Sequence, residues 1–253
     1  MDLFDLTGRT ALITGASRGI GFAIAQALAS AGASLILNGR DAASLDRAAE
    51  ELRASGAKVA TVNFDVMDAA AVKEAIYGIE ADGTSIDILV NNAGIQRRGP
   101  LEEFGHDDWR AIMETNVDGV FYVSQAVAPH MIKRERGKII NIASVQSELV
   151  RATTAPYATS KGAVRNLTKG MCADWAKYGL QVNAIAPGYF ATPLNQVLWD
   201  DPKFNDWLCK RTPAGRWGEL SDLHGVAIFL ASSASDFVNG QVLHVDGGIT
   251  AVV

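Results

Sequence analysis

Arg9-Thr10-Ala11-Leu12-Ile13-Thr14-Gly15-Ala16-Ser17-Arg18-Gly19-Ile20-Gly21 is the stretch that decides the fold. Thr10 to Thr14 read as a short apolar strand, and an alanine-rich helical pattern continues to Ala31. The glycine turn between strand and helix lets backbone approach a phosphate. The helix N-terminus beyond it offers unpaired N–H groups and a favourable dipole. The spacing is Gly-x-x-x-Gly-x-Gly, not the Gly-x-Gly-x-x-Gly of the usual dinucleotide fingerprint. An ordinary glycine-rich loop is the competing reading, and the strand–turn–helix setting favours nucleotide binding over it.

The same alternation continues outward. Further short β-branched runs lie at Ser34–Asn38, Lys58–Asn63, Ile86–Asn91, Lys138–Ser144, Gln181–Ala186 and Gln241–Val245. Helical patterns lie between them at Ile20–Ala31, Ala42–Ser55, Ala69–Ala81, His106–Lys133, Tyr157–Tyr178 and Leu220–Ser232. Strands alternating with helices mean parallel strands joined by right-handed crossovers. The expectation is one α/β domain over residues 1–253, a doubly wound Rossmann fold. It has a seven-stranded parallel sheet with helices on both faces. Residues 189–215, rich in aromatic and apolar side chains, are expected to form a mobile substrate lid.

In such folds ligands bind at the carboxyl ends of the strands. Gly15 follows the first strand, Arg40 the second, Asp65 the third and Asn91-Asn92-Ala93-Gly94 the fourth. Ser144 ends the fifth, and Pro187-Gly188 follow the sixth. Residues from six segments therefore converge on one sheet edge.

Tyr157-Ala158-Thr159-Ser160-Lys161 places a phenol and an ammonium four residues apart, hence on one helix face, with Ser144 upstream. A positive charge beside a phenol favours phenolate, and a serine hydroxyl can bond the same substrate oxygen. This is equipment for moving a proton onto or off an alcohol. Alone, the pair also reads as plain helix surface; the nucleotide-type loop raises it.

Composition narrows the classes. The chain is 48% hydrophobic and 20% charged, with net charge −5, which describes a soluble globular protein and argues against nucleic acid. The basic cluster Lys133-Arg134-Glu135-Arg136-Gly137-Lys138 reads as helix-end charge complementing the dipole. Cys172 and Cys209 have no metal-type spacing, and His106, His130, His224 and His244 are scattered, so no protein-built metal site is expected. No secretion signal or membrane-length apolar run appears. A cytoplasmic location with reduced thiols is expected.

These motifs, in this order, resemble the short-chain dehydrogenase/reductase family over essentially the full length. They are Thr14 to Gly21, Asn91-Asn92-Ala93-Gly94, Asn116, Ser144, Tyr157 to Lys161 and Pro187-Gly188. The resemblance implies that Tyr157 is the general acid/base and that Ser144 holds the substrate oxygen. It implies that Lys161 binds the nicotinamide ribose and lowers the Tyr157 pKa, and that Asn116 anchors a proton-relaying water. It implies a dinucleotide held by Gly15, Ser17, Arg18, Gly19, Ile20, Gly21, Arg40, Asp65, Val66, Asn92, Ala93, Gly94, Tyr157, Lys161, Pro187, Gly188 and Thr192. A homotetramer is also implied, using the Tyr157–Tyr178 and Leu220–Ser232 helices and the last strand.

Four further segments, starting at Asn92, Ser144, Ala186 and Asp206, resemble the gluconate 5-dehydrogenase branch of that family. They imply reversible interconversion of D-gluconate and 5-dehydro-D-gluconate. The alternatives are a 3-oxoacyl-carrier-protein reductase, a broad ketone reductase, or a dinucleotide-binding protein without catalysis. The intact Asn116, Ser144, Tyr157 and Lys161 speak against the last.

Charge at the end of the second strand bears on the cofactor. An acid there would bind the ribose diol and repel a 2′-phosphate. The chain has Gly39, then Arg40, with Arg18 in the glycine loop, so NADP (NADPH) is expected. Asp41 is expected to offset Arg40 in part. A sugar acid needs a cation for its carboxylate. Arg97 and Arg98 are the candidates, and adjacent side chains in extended backbone point opposite ways, so one faces the pocket. Arg98 is the choice, with Gln146 and Glu148 to bond sugar hydroxyls beside Ser144 and Tyr157.

Overall fold

The computed structural model describes residues 2–192 and 195–252. The expected lid and domain therefore each include positions outside the described residues, namely 193–194 and, for the domain, 1 and 253 as well.

Seven strands form one parallel sheet: β1 (Thr10–Ile13), β2 (Ser34–Gly39), β3 (Val59–Asn63), β4 (Ile88–Asn91), β5 (Gly137–Ile142), β6 (Leu180–Pro187) and β7 (Val242–Val245). Their spatial order is β3-β2-β1-β4-β5-β6-β7, as expected for a doubly wound sheet. Neighbouring strands pair in parallel, for example Leu12 with Ile36 and Leu89 with Ile139.

Central strands read as continuous apolar runs because both faces are covered; β4 and β5 are buried at every residue. Period-2 alternation sends Ile13, Leu35, Leu37, Val90, Ile140 and Ile185 to one face. There they pack under α1 (Gly19–Ser30), α2 (Ala42–Ala54) and α9 (His224–Ala231). Leu12, Ile36, Leu89, Ile139 and Val182 point the other way, under α3 (Ala69–Ala81), α5 (Gly119–Lys133) and α6 (Ala155–Trp175).

The chain runs outward from β1 to β3, then jumps back to β4 beside β1. A crevice opens where the direction of winding reverses, at the carboxyl ends of β1 and β4. The glycine loop after β1 and the Asn92–Gly94 segment meet there.

Two expectations change. The single helix His106–Lys133 is divided into α4 (His106–Met113) and α5 by a π-helical turn, Glu114–Asp118. π-turns insert a residue into the helical ladder and turn a side chain out of its regular row; here the turn contains Asn116. The basic cluster is not one helix-end patch. Arg134 makes a fork to Glu80 with a shortest contact of 2.6 Å, and Arg136 meets Asp87 at 2.7 Å. Lys138 lies buried in β5 and reaches Asp236 at 2.7 Å. Lys133 stands in the last turn of α5, Arg134 ties the end of that helix to Glu80 of α3, and Arg136 and Lys138 fasten the start of β5 to Asp87 and Asp236.

Much of the expected lid region is helical. Helices α7 (Gln196–Trp199) and α8 (Pro202–Arg211) carry a small core of Leu198 and Leu208 with Trp217 and Ile249. Trp217 lies beyond the expected boundary at 215 and stacks on Trp199 at 5.1 Å and Phe204 at 6.3 Å. Asp201 caps α8 by accepting from Lys203 N–H, and Pro202 starts it.

Candidate active site

The glycine loop is shaped by two residues that admit no side chain. Gly15 has φ +61°, and a Cβ there would lie 2.9 Å from Ala93 Cα. A Cβ on Gly21 would lie 2.5 Å from the Gly15 carbonyl oxygen. Asn92 fastens the loop: its amide donates to the Thr14 and Gly15 carbonyls at 3.0 and 2.9 Å. Thr14 Oγ1 in turn accepts the N–H groups of Asn92 and Ala93. Asn92 thus serves the nucleotide crevice by bracing its loop.

Arg18 occupies the N-cap position of α1 without a side-chain cap, and the first turn carries no acid. The N–H groups of that turn and the positive dipole end face the crevice. This donor set fits a pyrophosphate. At the end of β2, Arg40 is exposed and 3.6 Å from Asp65. Asp41, expected to offset it, instead caps α2 by accepting from Ser44 N–H at 2.8 Å. Its charge is committed to the helix end, and Asp65 is the acid that meets Arg40. Arg18 and Arg40 fit a 2′-phosphate by charge.

Ser144 sits just past β5 as the N-cap of a 3₁₀ turn, its Oγ accepting from Gln146 N–H at 3.1 Å. Tyr157 is in the first turn of α6, and Lys161 follows one turn on. Ser144, Tyr157, Gln146, Arg98, Tyr189 and Gly188 line one cleft. Burial pushes the Tyr157 hydroxyl up to about 12, partly countered by the Ser144 hydroxyl and the Arg98 charge. Burial pushes the Lys161 ammonium down to about 8. The expected depression of Tyr157 by Lys161 is not what this state holds. Lys161 Nζ stands 5.7 Å from the Tyr157 ring centroid and donates to the Ile142 carbonyl at 2.7 Å. Desolvation of the phenol wins.

Asn116 is held by its side chain. Its Oδ1 accepts Ile95 N–H at 2.8 Å, and its Nδ2 donates to Ile95 O at 2.9 Å and Ser160 Oγ at 3.0 Å. The buried side chain clamps the loop after β4 to α6.

The two candidate arginines separate. Arg97 turns outward to Asp108 at 3.1 Å. Arg98 lines the cleft, with Nη2 donating to Gln96 at 3.1 Å. Gln146 also lines it, and its buried Oε1 has no hydrogen-bond partner among the described residues, an open acceptor for a substrate hydroxyl. Glu148 does not line the cleft. It is 3.5 Å from Arg165 and 3.9 Å from His244, because the 3₁₀ turn carries it past the cleft wall. Val66 is buried against Gly119, the first residue of α5, and Thr192 lines the cleft. Sequence reading placed Tyr189 only in the lid, where it walls the cleft, and did not single out Gln96, another lining residue. Neither belongs to a spaced motif.

A nucleotide crevice at the switch point, a buried lysine, and a tyrosine–serine pair in one cleft define a class of oxidoreductase. A family model described as enoyl-(acyl carrier protein) reductase matches residues 15–250. The chain belongs to the short-chain dehydrogenase/reductase family.

Among its relatives, this short-chain dehydrogenase/reductase is 61% identical to a gluconate 5-dehydrogenase of Gluconobacter oxydans, over 98% of this chain and 97% of that one. It is 50% identical to a 5-keto-D-gluconate 5-reductase of Escherichia coli, over 100% and 99%. A solved gluconate 5-dehydrogenase from Burkholderia cenocepacia, in complex with NADP and tartrate, superposes with a TM-score of 0.98 at 61% identity. That match covers 100% of this chain and 99% of that one. Among the described residues no helix is long and apolar enough to cross a membrane, and no cluster of His, Cys, Asp or Glu suits a metal ion.

Proposed function

We propose that this enzyme interconverts D-gluconate and 5-dehydro-D-gluconate with NADP(H). The observation that carries the reading is Arg98 on the wall of the same cleft as Ser144 and Tyr157. A guanidinium there meets a carboxylate while the Tyr157 hydroxyl meets the reacting oxygen. The relatives that act on gluconate and its 5-keto form, and the NADP and tartrate held by a solved relative, support it.

In the reading proposed, the loop from Gly15 to Gly21 and the first turn of α1 hold the pyrophosphate, with Ser17 and Ile20 alongside. Arg18 and Arg40 face the 2′-phosphate. Asp65 and Val66 flank the adenine end, and Asn92 to Gly94, Lys161, Pro187, Gly188 and Thr192 frame the nicotinamide half. The nicotinamide supplies the hydride chemistry. Ser144 Oγ bonds the carbonyl or carbinol oxygen, and Tyr157 gives that oxygen a proton in reduction and takes it back in oxidation. Gln146 receives a sugar hydroxyl. Lys161 orients the ribose, and its charge, joined by that of the oxidised ring, eases Tyr157 toward phenolate.

The enzyme is further read as a cytoplasmic homotetramer. Exposed apolar side chains on the helical faces, Trp109 and Phe121 among them, suit subunit contacts. Absorbance of NADPH followed with 5-keto-gluconate, with an acetoacetyl thioester and with no substrate tests the substrate. Faster oxidation with the thioester than with the keto-acid would reject the sugar-acid assignment.

A further inference from the structure

Arg151 lies outside every recognised motif, in the loop between the 3₁₀ turn after β5 and α6. That loop is fastened to the one carrying Arg98: Gly99 N–H donates to the Thr153 carbonyl at 3.1 Å. Thr153 holds φ +69°, a left-handed conformation that a β-branched residue keeps only where its surroundings impose it. The two arginines are thereby delivered to one place from two separate loops.

Neither is neutralised there. Arg97, Arg165 and Arg216 each meet a carboxylate, whereas Arg98 and Arg151 have none within ion-pair distance among the described residues. Arg151 Nε is buried without an acceptor among the described residues. Burial lowers the basicity of Arg98, and repulsion from the nearby Arg151 guanidinium lowers it further. Like charges held together are relieved by an anion between them. The Arg151 guanidinium also stands 5.1 Å above the ring of Phe204 in α8, and Phe204 packs on the cleft residue Tyr189 at 5.7 Å.

We propose that Arg151 is the second half of a carboxylate clamp: it holds the substrate's carboxylate jointly with Arg98, and its seat on Phe204 ties that anion to the lid. This rests on the sugar-acid reading. It names a specificity residue supplied by a different loop from Arg98. A paired guanidinium site binds a carboxylate from two sides and rejects neutral ketoses, which leave the two charges uncompensated.

Arg151→Met keeps the length and the packing on Phe204 while removing the charge, and Arg151→Lys restores a cation without the fork. Steady-state kinetics with 5-keto-gluconate and with fructose as a neutral ketohexose, plus calorimetric binding of tartrate to the NADP-loaded enzyme, make the test. The methionine variant is expected to raise KM for 5-keto-gluconate and Kd for tartrate by roughly ten- to a hundredfold, with kcat/KM for fructose within about twofold of wild type. The lysine variant should recover part of the loss. Unchanged KM and unchanged tartrate binding in Arg151→Met would overturn the clamp, as would an equal loss on both ketones with tartrate binding unchanged. Weakened tartrate binding in Arg151→Met, together with a wild-type enzyme that does not reduce 5-keto-gluconate, would uphold the clamp and overturn the sugar-acid reading instead.

Discussion

Lys161 Nζ donates a 2.7 Å hydrogen bond to the carbonyl oxygen of Ile142, the last residue of β5. The ammonium is therefore tied to the strand end and buried at the floor of the site, with 5% of its surface exposed. Its pKa falls to about 8 because desolvation disfavours the charge more than one neutral acceptor favours it.

A stability consequence follows from that shift. The unfolded lysine titrates near 10.5 and the folded one near 8. Between those values the unfolded chain binds more protons, so stability rises with pH across this window and the gain is lost as pH falls toward 8. Lys161→Met lacks this dependence. Urea unfolding of both proteins from pH 7.5 to 10.5, a range bracketing that shift, should show the wild type gaining on the variant by up to roughly 3 kcal/mol. Parallel curves would mean that Lys161 is not desolvated.

Tyr157 is expected to be neutral across the ordinary pH range, since burial holds it near 12. It is then a ready proton donor for ketone reduction, whereas alcohol oxidation needs phenolate. Oxidation of gluconate should therefore accelerate with rising pH while reduction does not. Tyr157→Phe should lower turnover in both directions by about 10²–10⁴-fold. NADPH binding, read by fluorescence, should persist; near-normal turnover rejects the proton-transfer role.

Arg40→Asp places a second carboxylate beside Asp65, where Arg40 now stands 3.6 Å away. Two acids at the adjacent ends of β2 and β3 repel a 2′-phosphate and suit a ribose diol. The Kd for NADPH should rise by roughly ten- to a hundredfold while that for NADH falls or holds. A wild type that already prefers NADH would refute the phosphate reading of Arg18 and Arg40.

Asn116→Ala removes three hydrogen bonds and leaves the Ile95 N–H and C=O without their partner. A buried polar group left unpaired costs about 1–3 kcal/mol. The urea midpoint should fall accordingly, and KM for the keto-acid should rise, since Ile95 leads directly into the Gln96–Arg98 wall. An unchanged midpoint would show that the clamp is replaced by water.

Most of the architecture was legible because it rests on local periodicities. Seven apolar runs with helices between them leave one economical arrangement, and right-handed crossovers order it. The edge on which Gly15, Asn92, Ser144, Tyr157 and Pro187 gather follows from strand direction alone. The π-turn at Glu114–Asp118 was not legible, because one inserted residue scarcely disturbs an apolar period over His106–Lys133. The roles of the cations in Lys133–Lys138 were not legible either, since their partners Glu80, Asp87 and Asp236 lie on segments distant in sequence.

The sequence by itself determined the fold class, the crevice and the residue types that move a proton. Those depend on spacing along one strand, one turn or one helix. Only the tertiary structure decided that Arg97 turns to Asp108 while Arg98 faces the cleft, that Glu148 leaves the site, and that the Arg151 guanidinium seats on Phe204 in α8. It also decided that burial, more than the neighbouring lysine, governs Tyr157. Side-chain direction in a loop and the desolvation of a charge are set by whatever chain packs against them, and that chain comes from elsewhere in the sequence.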